Sequence, residues 1–163
     1  MPYDPERWHD FAATFAGAAG ALLGLAFLAI SFNLDAILRD KTLPGRAVET
    51  LAFFAYPLAG GLLIQVPGLS DTALGVGQAI LAAGLAGLVA LGIQRWKQQQ
   101  GDPLSWRVSH IVPAILTTVL AIVGAAATIS ASFGGLYWLA GAMAVAATSG
   151  VTNSWVLLVE IKR

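Results

Sequence analysis

A few polar residues lie inside or beside long apolar stretches of this chain, where a membrane would make them costly and therefore candidates for function. Four of them, between positions 148 and 153, recur at helical spacing and predict one polar face that continues toward Glu160. Such a face either hydrogen-bonds to a neighbouring helix or lines a water-filled path, where hydroxyls and amides replace ion hydration. The candidate lining residues are Asn33, Glu49, Thr148, Ser149, Thr152 and Asn153.

Three further patterns among the polar residues leave more than one interpretation open. Gln65 and Gln78 flank a short turn, where they either bond to each other or form a polar rim at an entrance. Glu49 follows Arg46 by three residues, and a carboxylate in the first turn of a helix also suits the helix dipole. A second line, with the same choice between packing and lining, lies in the fourth apolar stretch: Thr117, Ala121, Ala125, Thr128 and Ser132.

Catalytic and metal-binding chemistry is poorly supported. The chain has no cysteine, and its two histidines, His9 and His110, are expected on opposite faces of a membrane. Glu6, His9 and Asp10 could share a metal at the start of the first helix, but a solvated helix end explains them better. No phosphate-binding loop, dinucleotide motif or basic run is present. We therefore expect no enzymatic activity, no cofactor, no metal and no nucleic-acid partner.

The elements that must position these residues are long apolar segments. The chain is 57% hydrophobic and 11% charged, whereas soluble domains are about a quarter charged. Its N-terminus has neither the basic start nor the cleavage site of a signal peptide. The composition predicts a single all-α integral membrane domain over residues 1–163, a bundle of five transmembrane helices at Phe11–Leu34, Ala47–Val66, Ala73–Ile93, Ile111–Ala131 and Leu136–Val159.

The basic residues predict the orientation of this bundle. If five segments cross, eight of the nine Lys and Arg residues share one side, and Arg7 alone lies on the other. The positive-inside rule then places the N-terminus outside and the C-terminus in the cytoplasm. The eight residues are Arg39, Lys41, Arg46, Arg95, Lys97, Arg107, Lys162 and Arg163.

Small residues recur four apart on two of the segments, which brings them onto one helix face each. The stripes are Ala12, Ala16, Gly20, Gly24 and Gly75, Ala79, Ala83, Gly87. Small residues let helix backbones approach closely, so the stripes favour packing within or between chains over a narrow pore wall. The glycines expected to pack are Gly17, Gly20, Gly24, Gly75 and Gly87.

Proline in the second segment predicts a bend. Pro57 removes one main-chain hydrogen bond, and Gly60 and Gly61 follow one turn later. A fixed kink and a gating hinge are both compatible with this pattern.

At "WHDF", "GALLGLAFLAISFNLDAIL", "LPGRAVETL" and "VPG" the chain resembles a widespread group of small bacterial multi-pass membrane proteins. Some members carry an automated label as modulators of a membrane-bound protease. The resemblance covers about residues 8–69 and brings no catalytic residue with it. It implies a bacterial inner (plasma) membrane location.

Taken together, these patterns predict a homo-oligomer in the lipid bilayer that conducts a small ion or solute. The alternative is a non-enzymatic scaffold or regulator that docks another membrane protein through its small-residue faces. Whether the polar faces of the fourth and fifth segments meet water separates the two hypotheses.

Overall fold

The computed structural model describes residues 5–40, 43–97, 104–132 and 134–161. A short 3-10 turn at Pro5–Trp8 leads into the first of six α-helices. The helices are α1 (His9–Phe32), α2 (Leu34–Arg39), α3 (Leu43–Ile64), α4 (Asp71–Lys97), α5 (Leu104–Ile129) and α6 (Leu136–Ile161). All five predicted segments are helical, and all five helices are long and apolar enough to cross a membrane.

The helix ends differ from the predicted segments near Asn33. There α1 stops, and the Asn33 main-chain N–H bonds to the Ile30 carbonyl in a tighter turn. Asn33 also donates its side-chain amide to the Ala29 carbonyl at 2.8 Å, which satisfies a terminal carbonyl of α1. The break lets α2 start in a new direction and bury Ile37 against α3 and α6, in a cluster with Leu43, Ala47 and Leu157.

Helices α3 to α6 form a closed ring of four. Each packs on the next in the chain, and α6 returns to pack on α3. Because the connections are short, neighbouring helices run antiparallel. The ring surrounds the main apolar core, in which Phe53, Leu139 and Met143 are completely buried.

Helix α1 lies outside this ring, packed chiefly on α3. Ala12, Ala16 and Ala19 are its buried residues, and Gly61 of α3 lies against the first two. At its start, the ring of Trp8 meets that of Tyr137 of α6 edge-on, with centroids 4.7 Å apart. The first helix is thus held by α3 along its length and by α6 at one end.

Two tight turns connect the ring at the end near Tyr137. Gly68, with φ of 69°, makes a left-handed step between α3 and α4. Between α5 and α6, Ala131, Gly134 and Gly135 all have positive φ, and the Ser130 and Ser132 hydroxyls lie 2.6 Å apart. The break predicted between Ala131 and Leu136 is therefore a turn rather than a continuation of one long helix.

Candidate functional site

Polar side chains are buried inside the ring of four helices, and every helix of the ring supplies at least one. Most of the predicted line on α5 is buried, because Thr117, Ala121, Ala125 and Thr128 form one buried face. Ser132, its fifth member, is half-buried in the turn after α5. The buried polar residues that we group as the polar file are Tyr56 of α3, Gln78 of α4, Thr117 and Thr128 of α5, and Asn153 of α6.

The members of the polar file lie at successive depths in the bundle. Thr128 is in the last turn of α5, at the end of the ring near Tyr137. Gln78 and Tyr56 lie about two helical turns from that end, Thr117 about three turns, and Asn153 about five turns. Buried polar groups therefore follow one another along most of the length of the ring.

Three members of the polar file have an unsatisfied oxygen. The Tyr56 hydroxyl, the Gln78 side-chain carbonyl and the Thr117 hydroxyl are buried and have no hydrogen-bond partner among the described residues. Thr128 differs, because its hydroxyl donates to the Gly124 carbonyl at 2.8 Å. An unsatisfied buried polar group costs about 1–3 kcal/mol, and native proteins contain few of them. Three such groups in one ring require an explanation.

The two glutamines near the α3–α4 turn bond to separate main-chain carbonyls and not to each other. Gln65 donates to the Gly61 carbonyl at 3.2 Å, and Gln78 donates to the Gly60 carbonyl at 2.9 Å. Gln78 reaches Gly60 because the missing side chain there leaves room for its amide. The sequence-based interpretation was wrong for Gln78, since α4 turns that side chain into the core, where it is fully buried.

Only part of the predicted polar face of α6 is buried. Asn153 is buried and Ser149 is half-buried, whereas Thr148 and Thr152 point away from the core. The hydroxyls of Thr148 and Thr152 donate to carbonyls one turn earlier, at 2.8 and 3.0 Å. Ser149 bonds in the same way to the Val145 carbonyl, at 2.7 Å. These hydroxyls need neither water nor a second helix.

The other two candidate lining residues, Asn33 and Glu49, are not members of the polar file. Asn33 is half-buried at the junction of α1 and α2, where its amide is used by the helix end. Glu49 is half-buried in the second turn of α3, and one of its carboxylate oxygens, Oε1, is buried. A lining that Asn33 and Glu49 share with Asn153 stays a prediction.

The predicted hinge of α3 is also its most crowded part. The helix continues through Pro57 to Ile64, and Gly60 and Gly61 are buried. A Cβ on Gly60 would lie 2.8 Å from Met143 Cε, and one on Gly61 would lie 2.9 Å from the Ala12 carbonyl oxygen. Both glycines therefore allow close packing, and a hinge at this place stays a prediction.

The predicted packing glycines divide into two groups. Gly75 lies against α5, where a Cβ would meet the Ala125 carbonyl oxygen at 2.8 Å, and Gly20 faces Leu58 at an ordinary distance. Gly17, Gly24 and Gly87 have open space where a side chain would be, as does Gly84. Contacts between chains at these open positions stay a prediction. Three further close-packing glycines, which the four-residue spacing does not indicate, are Gly77, Gly124 and Gly150.

A lateral groove of about 180 Å³ separates the second half of α1 from α6, with Thr50 and Phe54 of α3 at its base. Its lining is almost entirely apolar. The two hydroxyls that reach it are satisfied, because Thr50 donates to the Arg46 carbonyl and Ser154 to the Gly150 carbonyl. The groove therefore offers a ligand apolar surface and already bonded hydroxyls, and it suits an apolar occupant.

Tyr56 is the member of the polar file that sequence analysis missed. A tyrosine of a membrane protein is normally an interfacial anchor, whereas this one lies in the middle of an apolar segment beside Pro57. That unusual position was the available signal. No three His, Asp or Glu side chains come together as a metal site in the described ranges.

Comparison with known proteins adds no assignment. No family model matches the chain, and no curated protein or solved structure matches it.

Proposed function

We propose that this chain conducts a small ion or solute across a bacterial inner membrane, along the axis of the α3–α6 ring. The observation that supports this is the set of three unsatisfied oxygens on Tyr56, Gln78 and Thr117, buried in the core of one helical ring. Unsatisfied polar groups inside a membrane segment cost stability, and a function is a physical reason to keep them.

Under this proposal the structure is the closed, non-conducting state of the protein. Leu139, Met143 and Ala146 fill the core between the helices and are completely buried. Opening requires the ring to loosen near Pro57, whose missing N–H already weakens α3 beside Tyr56. Water entering there would satisfy the three oxygens, so hydration itself would favour the open form.

The proposed orientation follows the basic residues. Arg7 precedes α1, while Arg39 and Arg46 lie near the opposite end of the bundle, so the N-terminus is outside and the C-terminus cytoplasmic. We further propose that copies of the chain assemble through the open glycines of α1 and α4, namely Gly17, Gly24, Gly84 and Gly87.

The test is ion and solute flux through purified protein in liposomes. Thr117→Val removes one oxygen of the polar file and keeps the side-chain shape, so flux should fall about tenfold or more. Thr118→Val is the matched control, because Thr118 is adjacent, half-buried and bonded to the Ala114 carbonyl. Flux that persists in Thr117→Val but is lost in Thr148→Val/Thr152→Val would move the path to the outer face of α6.

A second candidate function is a non-enzymatic scaffold or regulator. The observation in its favour is that α1 is bound chiefly to α3 and has open backbone at Gly17 and Gly24, which suits docking of another membrane helix. A wild-type protein that passes no ion or small solute over a range of pH and voltage would favour this function over conduction.

A further inference from the structure

The three unsatisfied oxygens share a chemical character that points to one class of ligand. The orientation of the Gln78 amide shows this character, because the side chain donates a hydrogen bond to the Gly60 carbonyl at 2.9 Å. A carbonyl can only accept, so the Gln78 atom bonded to it must be the nitrogen, and the buried atom left over is the oxygen. Gln78 therefore presents its oxygen to the core as an acceptor, while its amide nitrogen is turned toward Gly60.

The two hydroxyls can serve as acceptors in the same way. Tyr56 and Thr117 each carry lone pairs that no donor among the described residues uses. Pro57 has no N–H to donate to the Phe53 carbonyl, so α3 lacks one main-chain hydrogen bond beside Tyr56. The core of the ring thus holds three neutral oxygen atoms without a hydrogen-bond partner among the described residues.

We propose that the part of the ring that holds Tyr56, Gln78 and Thr117, about one helical turn deep, is a binding site for a partly dehydrated monovalent cation, Na⁺ or K⁺. The inference rests on the proposed conduction and names the class of ion conducted. Neutral hydroxyl and carbonyl oxygens replace the water shell of such ions. Ca²⁺ and Mg²⁺ take carboxylates, and transition metals take His or Cys, none of which is a member of the polar file.

The Gln78 oxygen disfavours an anion at this site, because a carbonyl oxygen can only accept a hydrogen bond. The Tyr56 and Thr117 hydroxyls each have an O–H as well as lone pairs, so the flux measurement below decides the sign of the ion. Filling the site with a cation requires the surrounding helices to separate. The side chains that must move include Met143, which lies beside Gly60 as Gln78 does, together with the small residues Ala82, Ala121 and Ala146 of the same core.

The experiment is thermal unfolding of the purified full chain in detergent, with choline chloride replaced stepwise by NaCl or KCl at constant ionic strength. The wild type and Thr118→Val should gain about 3 °C in Tm as the cation saturates the site. Thr117→Val and Tyr56→Phe, which each remove a single oxygen, should lose this gain. Sodium and potassium arms show which ion the site prefers.

A Tm that is the same in all three salts would overturn the cation site, and so would a gain that Thr117→Val and Tyr56→Phe both retain. Water filling the site would give the first result. Liposome flux separates this inference from the proposed function. A saturable gain in Tm that Thr117→Val and Tyr56→Phe lose, without any flux, would support the cation site and contradict conduction. Flux that is selective for chloride would support conduction and contradict the cation site.

Discussion

At the scale of single residues, the hydroxyl of Thr117 lowers the stability of the closed form but is needed for the proposed cation contact. Its hydroxyl is fully buried without a partner, so the closed form would be more stable with a methyl group in its place. In choline chloride, Thr117→Val should raise the free energy of unfolding by about 1 kcal/mol. Equilibrium unfolding in mixed micelles measures this change.

Thr128→Val is the control for that stability measurement. Thr128 is equally buried on the same face of α5, but its hydroxyl donates to the Gly124 carbonyl. Removing a hydroxyl that already has a hydrogen-bond partner brings little or no gain in stability. The free energy of unfolding of Thr128→Val should therefore equal that of the wild type or be lower. A loss of stability for Thr117→Val in choline chloride would mean that the hydroxyl already has a partner, such as an ordered water.

The residue scale also shows where sequence patterns reach their limit. Thr148 and Thr152 share one side of α6, while Ser149 and Asn153 lie about 100° around the helix. Their spacing in the sequence groups these four residues together. It does not show which of the two neighbouring sides of α6 packs against another helix. That choice depends on Gly150, which admits the ring of Phe54 and so turns the Asn153 side toward α3.

At the scale of elements, α1 and α3 are held together by backbone contact. A Cβ on Gly61 would lie 2.9 Å from the Ala12 carbonyl oxygen and 3.0 Å from Ala16 Cβ. Neither atom belongs to a flexible side chain, so Gly61→Ala should separate the helices and destabilise the protein by about 1–3 kcal/mol. Thermal unfolding in detergent tests this expectation.

Gly17→Ala serves as the matched control on the other helix of that pair. Gly17 is exposed with nothing within 4 Å of a Cβ, and alanine is the better helix former by up to about 1 kcal/mol. Its Tm should therefore stay the same or rise. Equal losses for both variants would show that the α1–α3 contact does not determine stability.

Hydrophobic length was sufficient to predict the elements themselves, because about 20 apolar residues are needed wherever a helix crosses a membrane. All five segments are present as helices in the described residues. The sequence predicts the end of the first segment at Leu34, two residues beyond the end of α1, but it does not predict the separate helix α2. Nothing in "SFNLDAIL" marks a second helix, and the cluster in which α2 buries Ile37, with Leu43 and Leu157, is formed by residues distant in the sequence.

At the scale of the whole molecule, the first expectation concerns orientation. The chain has no cysteine, so single cysteines are clean probes. Thr72→Cys lies at the start of α4 and Asp35→Cys at the start of α2, at opposite ends of the bundle. With five crossings, a membrane-impermeant thiol reagent should label Thr72→Cys from outside and Asp35→Cys only after the membrane is opened. Labelling of both from one side would refute the five-span arrangement.

Self-association is the second expectation at this scale. Gly24 on α1 and Gly87 on α4 are exposed and open, so leucine at either position fits within one chain. If copies pack there, Gly24→Leu and Gly87→Leu should weaken assembly while leaving the helix content of the single chain unchanged. Light scattering in mild detergent gives the subunit number. A wild type that is strictly monomeric would contradict the homo-oligomer.

The closure of the ring between α3 and α6 has a consequence for how the protein is made. Helix α6 leaves the ribosome after the other three helices of the ring, and α3 cannot gain its contact with α6 before then. Until that moment Tyr56 and Gln78 belong to a partial bundle that is open on one side, in a lipid phase that offers them no hydrogen bonds. We therefore expect a chain truncated before Leu136 to be degraded faster than the chain that includes α6, as a pulse-chase measurement would show.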